Sequence, residues 1–175
     1  TVDRLTAARV RLVSPAALKA GKGRLVIEFK GKLSTTPDGL YAVKDGEEHY
    51  IFSQFEPIAA RTAFPCFDEP RFKASFTISV RVPQGQTVVS NAPESRRHSD
   101  SLGKMTFEFK PTKPIPSYLV AFGVGPLEIV DTGITIEEGV PFRIVVPKGK
   151  TEGVEFALRE TPAIYRTIRD YLNTS

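Results

Sequence analysis

Period-two alternation, broken at short intervals by proline and glycine, most narrows what this chain can fold into. Leu25, Ile27 and Phe29 alternate with Val26, Glu28 and Lys30, as in a strand with one buried face. Phe76, Ile78, Val80 and Val82 alternate with Thr77, Ser79 and Arg81, and Met105, Phe107 and Phe109 with Thr106, Glu108 and Lys110. Phe142, Ile144 and Val146 again occupy every second place, while Tyr118 to Phe122 is continuously apolar and reads as a fully buried strand. Asp38-Gly39, Asp45-Gly46 and Gln84-Gly85 are turn dipeptides. Prolines at 37, 83, 93, 111, 114, 116, 126, 141 and 147 mark edges and loops, because proline cannot donate to a sheet ladder. Many short strands at this spacing predict a mainly β fold, either a sandwich or a set of twisted antiparallel sheets.

The pattern changes after Lys150. Val154, Leu158, Thr161, Tyr165, Ile168 and Leu172 fall near helical spacing, with Thr151 placed to act as the N-cap. Pro162 lies inside this run and lacks the N–H that a continuous helix uses, so one kinked helix or two short ones are expected. No helical C-cap is evident in Asn173-Thr174-Ser175. An amphipathic helix at the end of a β domain needs an apolar surface to cover. The helix is expected to be the first element of a following domain, with residues 1–149 forming the β domain and 150–175 a helical segment leading onward.

Composition excludes several function classes. A hydrophobic fraction of 41% and a charged fraction of 25% over 175 residues belong to a globular chain with a real core, not a disordered one. The net charge is +4, and the basic clusters, Arg96-Arg97 and Lys148 with Lys150, are small, so nucleic acid is not an expected partner. Cys66 is the one cysteine, which rules out an intrachain disulfide. The longest strongly apolar stretch, Tyr118 to Leu127, is too short to span a membrane, and no signal-peptide pattern precedes the first strand. The sequence names no compartment; a soluble, cytoplasmic protein is the default expectation. The chain opens on Thr1 and is expected to be a fragment of a longer protein.

The segment Gln54 to Phe76, QFEPIAARTAFPCFDEPRFKASF, carries a specific signal. It resembles a stretch near the start of the M1 aminopeptidases, with FPCFDEP (Phe64 to Pro70) as its core. Val89-Ser90-Asn91-Ala92-Pro93 resembles the family's SN-small-P turn, Ser117 to Phe122 its TYLVAF strand, and PAIYRTIRDYLNTS the part just before its catalytic core. The resemblance covers nearly the whole chain. It implies a twisted, saddle-like β domain, followed in the family by a thermolysin-like helical domain. That second domain supplies a GxMEN loop and the zinc motif HExxH with a distant Glu. Neither motif occurs in this sequence, and His49 and His98 lack metal-ligand spacing. The chain is therefore expected to hold no cofactor and to be inactive alone, with zinc bound in the full-length protein.

The resemblance also implies site residues. A carboxylate can hold a peptide's free α-ammonium group by a charge-assisted hydrogen bond. In the family one such group, a Gln or Glu, comes from this domain, and the matching residue is Glu56. Pro57 biases Glu56 toward an extended backbone, and Gln54 then points to the same side. The resemblance places Gln54 on the wall of the pocket for the first substrate side chain. The partners it implies are the amino terminus of a peptide and the catalytic domain of the same chain.

Other conspicuous residues read as structural. Asp68 and Glu69 are expected to cap a turn or pair with Arg61 or Arg71, since no partner base or nucleophile is evident. Cys66 is expected to be buried and inert. Phe64, Phe67 and Phe72 read as core anchors of the loop. Two other functions stand beside the peptidase. One is a non-catalytic M1-like interaction scaffold, distinguished by the fate of the zinc motif beyond Ser175. The other is an unrelated β-sandwich binding sugars or proteins, which composition permits and the motif disfavours.

Overall fold

A computed structural model describes residues 2–6, 9–136 and 139–172, with the side chains of 2–5 excepted. Strands β1 (Val2–Thr6) and β2 (Arg9–Leu12) form a two-stranded antiparallel ribbon. β3 (Gly39–Asp45) and β4 (Glu48–Gln54) form a hairpin that turns at Asp45-Gly46, with Gly46 at φ 60°. Short β5 (Lys73–Ala74) precedes β6 (Ser79–Pro83), β7 (Thr87–Ser90), β8 (Glu94–Ser99) and β9 (Lys104–Phe109). Then come β10 (Ile115–Pro116), β11 (Phe122–Gly125), β12 (Leu127–Thr135), β13 (Pro141–Pro147) and helix α1 (Val154–Leu172). The larger sheets run β3-β4-β11-β7 and β6-β9-β8; β12 pairs with β13, and β10 with β5. Every one of these pairings is antiparallel. The chain is thus mainly β with a terminal helix.

Two apolar clusters hold the sheets together. Val82, Val88, Phe107, Phe109 and Val124 are buried where the two larger sheets meet. Phe55, Ala60 and Val120 form a second cluster, with Phe64, Phe76 and Tyr118 packed on it. Phe122 and Ile78 touch both clusters, so the two are continuous. Phe55, 1% exposed, meets Phe64 and Phe122 edge-on at centroid distances of 5.8 and 6.4 Å. Full burial of such a ring contributes about 2–3 kcal/mol from area alone.

Several expectations are corrected. Residues 25–30 pair with no strand among the described residues, and Leu25, Val26, Ile27 and Phe29 are exposed. Alternation records which face would be apolar; a strand also needs a ladder partner, and none lies alongside among the described residues. The ladder of β6 starts at Ser79 rather than Phe76. Phe76 is instead held by Thr112, which accepts from its N–H through Oγ1 at 3.0 Å and donates to its carbonyl at 3.0 Å. Tyr118 to Phe122 is not a continuous strand: Ser117–Leu119 is a 3-10 turn, and β11 begins only at Phe122. The Asn91 side chain replaces the ladder there, donating to the Leu119 carbonyl (2.7 Å) and accepting from Ala121 N–H (2.7 Å).

At the other end, α1 runs unbroken through Pro162. The lost N–H removes one hydrogen bond, and the turns on either side keep theirs. Thr151 is not the N-cap. Its carbonyl accepts from Val154 N–H (3.3 Å) in a turn completed by Gly153 at φ 85°. Phe156, Ile164, Ile168 and Leu172 on the helix are exposed, and the C-cap expectation for 173–175 lies outside the described residues. No helix among the described residues is long and apolar enough to cross a membrane.

Candidate functional site

The C-terminal end of β4 leads directly into the site. Gln54 pairs across the ladder with Gly39, Phe55 turns inward to full burial, and Glu56 turns outward again. The Glu56–Pro57 peptide is cis. The chain then closes a turn, with Ala59 N–H donating to the Phe55 carbonyl at 2.8 Å, and enters the 3-10 turn Ala60–Thr62. Gln54 and Glu56, both exposed, line one open depression of about 640 Å³ together with Pro57, Pro70 and Tyr118. Among the described residues no hydrogen bond or ion pair ties down either side chain. A carboxylate presented this way, beside an aromatic ring and two prolines, is available to a cationic hydrogen-bond donor.

Behind the depression lies a buried carboxylate. Asp68, 7% exposed, accepts at Oδ2 from Arg61 N–H (3.1 Å) and Arg61 Nε (2.8 Å), and at Oδ1 from the Ser117 hydroxyl (2.6 Å). Arg61 Nη2 also donates to the Asp68 carbonyl at 2.8 Å. Burial pushes the Asp68 carboxyl upward, but these hydrogen bonds and the guanidinium charge outweigh it and hold the group below its ordinary value. Asp68 therefore both caps the 3-10 turn and pairs with Arg61, and the exposed Glu69 pairs with Arg71 at 2.9 Å.

Cys66 packs against the second cluster and is half-buried rather than fully buried. Burial and the neighbouring Asp68 charge push its thiol up to about 11, so it stays protonated and unreactive at neutral pH. Phe64 is a core anchor, whereas Phe67 (80% exposed) and Phe72 (44%) are not. They pack on each other at 5.6 Å, and the Arg71 guanidinium lies over Phe72 at 4.7 Å. The loop turns these rings outward because Asp68, between them in sequence, takes the inward position.

A more apolar depression of about 360 Å³ lies over β4, β7 and β11, next to Leu127 and Pro147. The polar side chains lining it are committed: Ser53 and Ser90 donate to the carbonyls of Phe122 and Ala121, and Asn91 is bound as described. It offers no free polar handle among the described residues, so the Glu56 depression is the better candidate. Metal ligands are not assembled anywhere among the described residues. His49 on β4 and His98 on β8 stand in different sheets, so the donors present do not fit a zinc centre.

Two residues of the site escape sequence reading. Tyr118 looks like part of a buried strand and instead lines the depression; Ser117 carries no signal of its partner 49 residues away. Pro114 and Pro116 just upstream are the cue that this stretch does not continue as a ladder.

Residues 2–119 match the Peptidase M1 N-terminal domain. The chain belongs to the M1 peptidase family. It is 35% identical to endoplasmic reticulum aminopeptidase 1 of Homo sapiens over 171 residues, which is 94% of this chain and 18% of that protein. It is 37% identical to aminopeptidase M1-A of Oryza sativa subsp. japonica over 81% of this chain and 16% of the relative. With aminopeptidase N of Acetobacter pasteurianus it shares 31% identity over 90% of this chain and 45% of the relative. The chain therefore spans less than half the length of these M1 relatives.

Proposed function

We propose that this chain is the N-terminal substrate-holding part of a zinc aminopeptidase that removes amino-terminal residues from peptides. Residues 1–149 make the β domain, and 150–175 lead into a catalytic domain carrying the zinc ligands. Glu56 accepts from the substrate's α-ammonium group, and Gln54 forms part of the wall against the first side chain. The observation carrying this reading is the placement of the untethered Glu56 and Gln54 side chains on one depression, with Phe55 buried between them.

The outward Phe67–Phe72 pair and the exposed apolar residues of α1 support the domain reading, because such surface is costly to leave in water. The catalytic domain of the same chain is the partner that would cover it. Catalysis belongs to that domain. This chain contributes position, and placing the amine fixes which peptide bond reaches the reacting centre.

The test is Glu56→Ala in the full-length parent, with peptides bearing free or acetylated amino termini. Weaker binding of the free form alone is expected; unchanged kinetics remove the anchoring role. A non-catalytic M1-like scaffold is the second reading. The Asp68–Arg61–Ser117 brace favours it equally, since that brace would survive loss of activity. A parent chain lacking HExxH decides for the scaffold.

A further inference from the structure

We infer that Asp68 is a positioning residue for the amino-terminus site, fixing the walls of the Glu56 depression relative to one another. The inference rests on the anchoring role proposed for Glu56. The depression has walls from three separate stretches: Gln54 to Pro57, Pro70, and Tyr118. A two-residue ladder, β5 with β10, joins the Pro70 stretch to the Tyr118 stretch, and β4 reaches the latter only through β11; no ladder joins Gln54 to Pro57 directly to the loop carrying Pro70. One buried carboxylate reaches all three. Its Oδ2 holds the Arg61 backbone and guanidinium in the turn that follows Pro57. Its Oδ1 holds Ser117, the residue next to Tyr118, at 2.6 Å. Its own backbone lies two residues before Pro70 and accepts from Arg61 Nη2 at 2.8 Å.

The chemistry needs an acceptor at both oxygens. Three donors converge on the side chain, and only an ionised carboxylate accepts from all of them without presenting an N–H of its own. Charge also shortens and strengthens each bond, which restricts the range over which the walls can drift. A displacement of the Tyr118 wall against Glu56 changes the fit of the bound amine without touching the reacting bond. The effect should therefore fall on substrate binding rather than on turnover.

The test uses the full-length parent with alanine p-nitroanilide, comparing Ser117→Ala, Asp68→Asn, Glu56→Ala and the Ser117→Ala/Glu56→Ala double variant. Glu56→Ala should raise KM about tenfold or more, the loss expected for a hydrogen bond to a charged group. Ser117→Ala should raise KM about threefold, less than Glu56→Ala, because it displaces a wall of the depression without removing the contact to the amine. Ser117→Thr, which keeps the hydroxyl, should return KM toward that of the unaltered protein. In the double variant KM should rise no further than with Glu56→Ala alone, because the brace acts through that carboxylate. Additive effects, or a lowered melting midpoint with KM unchanged in both Ser117→Ala and Asp68→Asn, overturn the positioning role and leave the anchoring role standing. An unchanged KM in Glu56→Ala, or an inactive unaltered parent, overturns the anchoring role and this inference with it.

Discussion

The Ser117 hydroxyl donates to Asp68 Oδ1 at 2.6 Å, so one buried contact joins the FPCFDEP loop to the turn before β11. Asp68 is held below its ordinary value of 3.8: burial opposes ionisation, and the Arg61 and Ser117 hydrogen bonds more than offset it. A carboxylate with a depressed folded pKa stabilises the fold fully once its unfolded counterpart has ionised. That contribution is lost as pH falls below 3.8 toward the lower folded value. Asp68→Ala should cost about 3 kcal/mol at neutral pH, because it strands partly buried donors. Urea midpoints from pH 7 down to the acid limit should show the variant and the unaltered chain converging as acid is added. Parallel curves would show that the ionised carboxylate is not what stabilises the loop.

Gln54 stands one alternate position from Glu56 and shares its depression, with no hydrogen bond fixing its side chain among the described residues. Its proposed contact is with the first side chain rather than with the amine. Gln54→Ala in the parent should therefore reorder kcat/KM among aminoacyl p-nitroanilides by about three- to tenfold, the range expected for small changes in a pocket wall. Glu56→Ala should lower them all together. A uniform loss in both variants would merge the two roles into one.

The sequence showed strands wherever alternation coincided with a ladder partner. β9 and β13 are such cases, β9 paired along its length and β13 at all but Phe142. Residues 25–30 show the same pattern without a ladder partner among the described residues, and local alternation does not distinguish the two situations. β8 shows the converse: Ser95, Arg96, Arg97 and His98 are exposed, so pairing on one edge leaves almost no apolar mark. At the site, Glu56 and Gln54 were readable only through the motif, since an exposed Glu is ordinary. Arg61 was readable as one of two partners for Asp68, while Ser117 and Tyr118 depended on a contact across 49 residues.

Cys66 provides a direct check on the loop's packing. Its thiol is pushed up to about 11 by burial first and by Asp68 second. Alkylation by iodoacetamide at pH 7.5 should be about a hundredfold slower than for an exposed thiol of ordinary pKa, because the thiolate is the reactive form. Denaturant should restore the ordinary rate. Because its folded pKa is raised, the thiol leaves stability intact below the unfolded value of 9.0, and some is lost as pH rises through about 11. Rapid alkylation of the folded chain would place the thiol in open solvent and contradict the observed packing.

Gly39 begins β3 directly opposite Gln54, at φ 72°, in the left-handed region that favours glycine. A Cβ there would also collide with Thr62 Oγ1, and that hydroxyl is not idle: it donates to the Ala59 carbonyl at 2.7 Å in the turn behind Glu56. Gly39→Ala thus faces two separate costs, backbone strain of about 1 kcal/mol and displacement of a bonded side chain of about 1 kcal/mol. Thr62→Ala alone removes the hydrogen bond and the obstacle together. The double variant should therefore be less destabilised than the sum of the two singles by about 1 kcal/mol, as contacting sites are. Denaturation midpoints for the three variants measure this. Simple additivity would mean that strain at Gly39 accounts for the whole effect and that the Thr62 turn tolerates the added methyl.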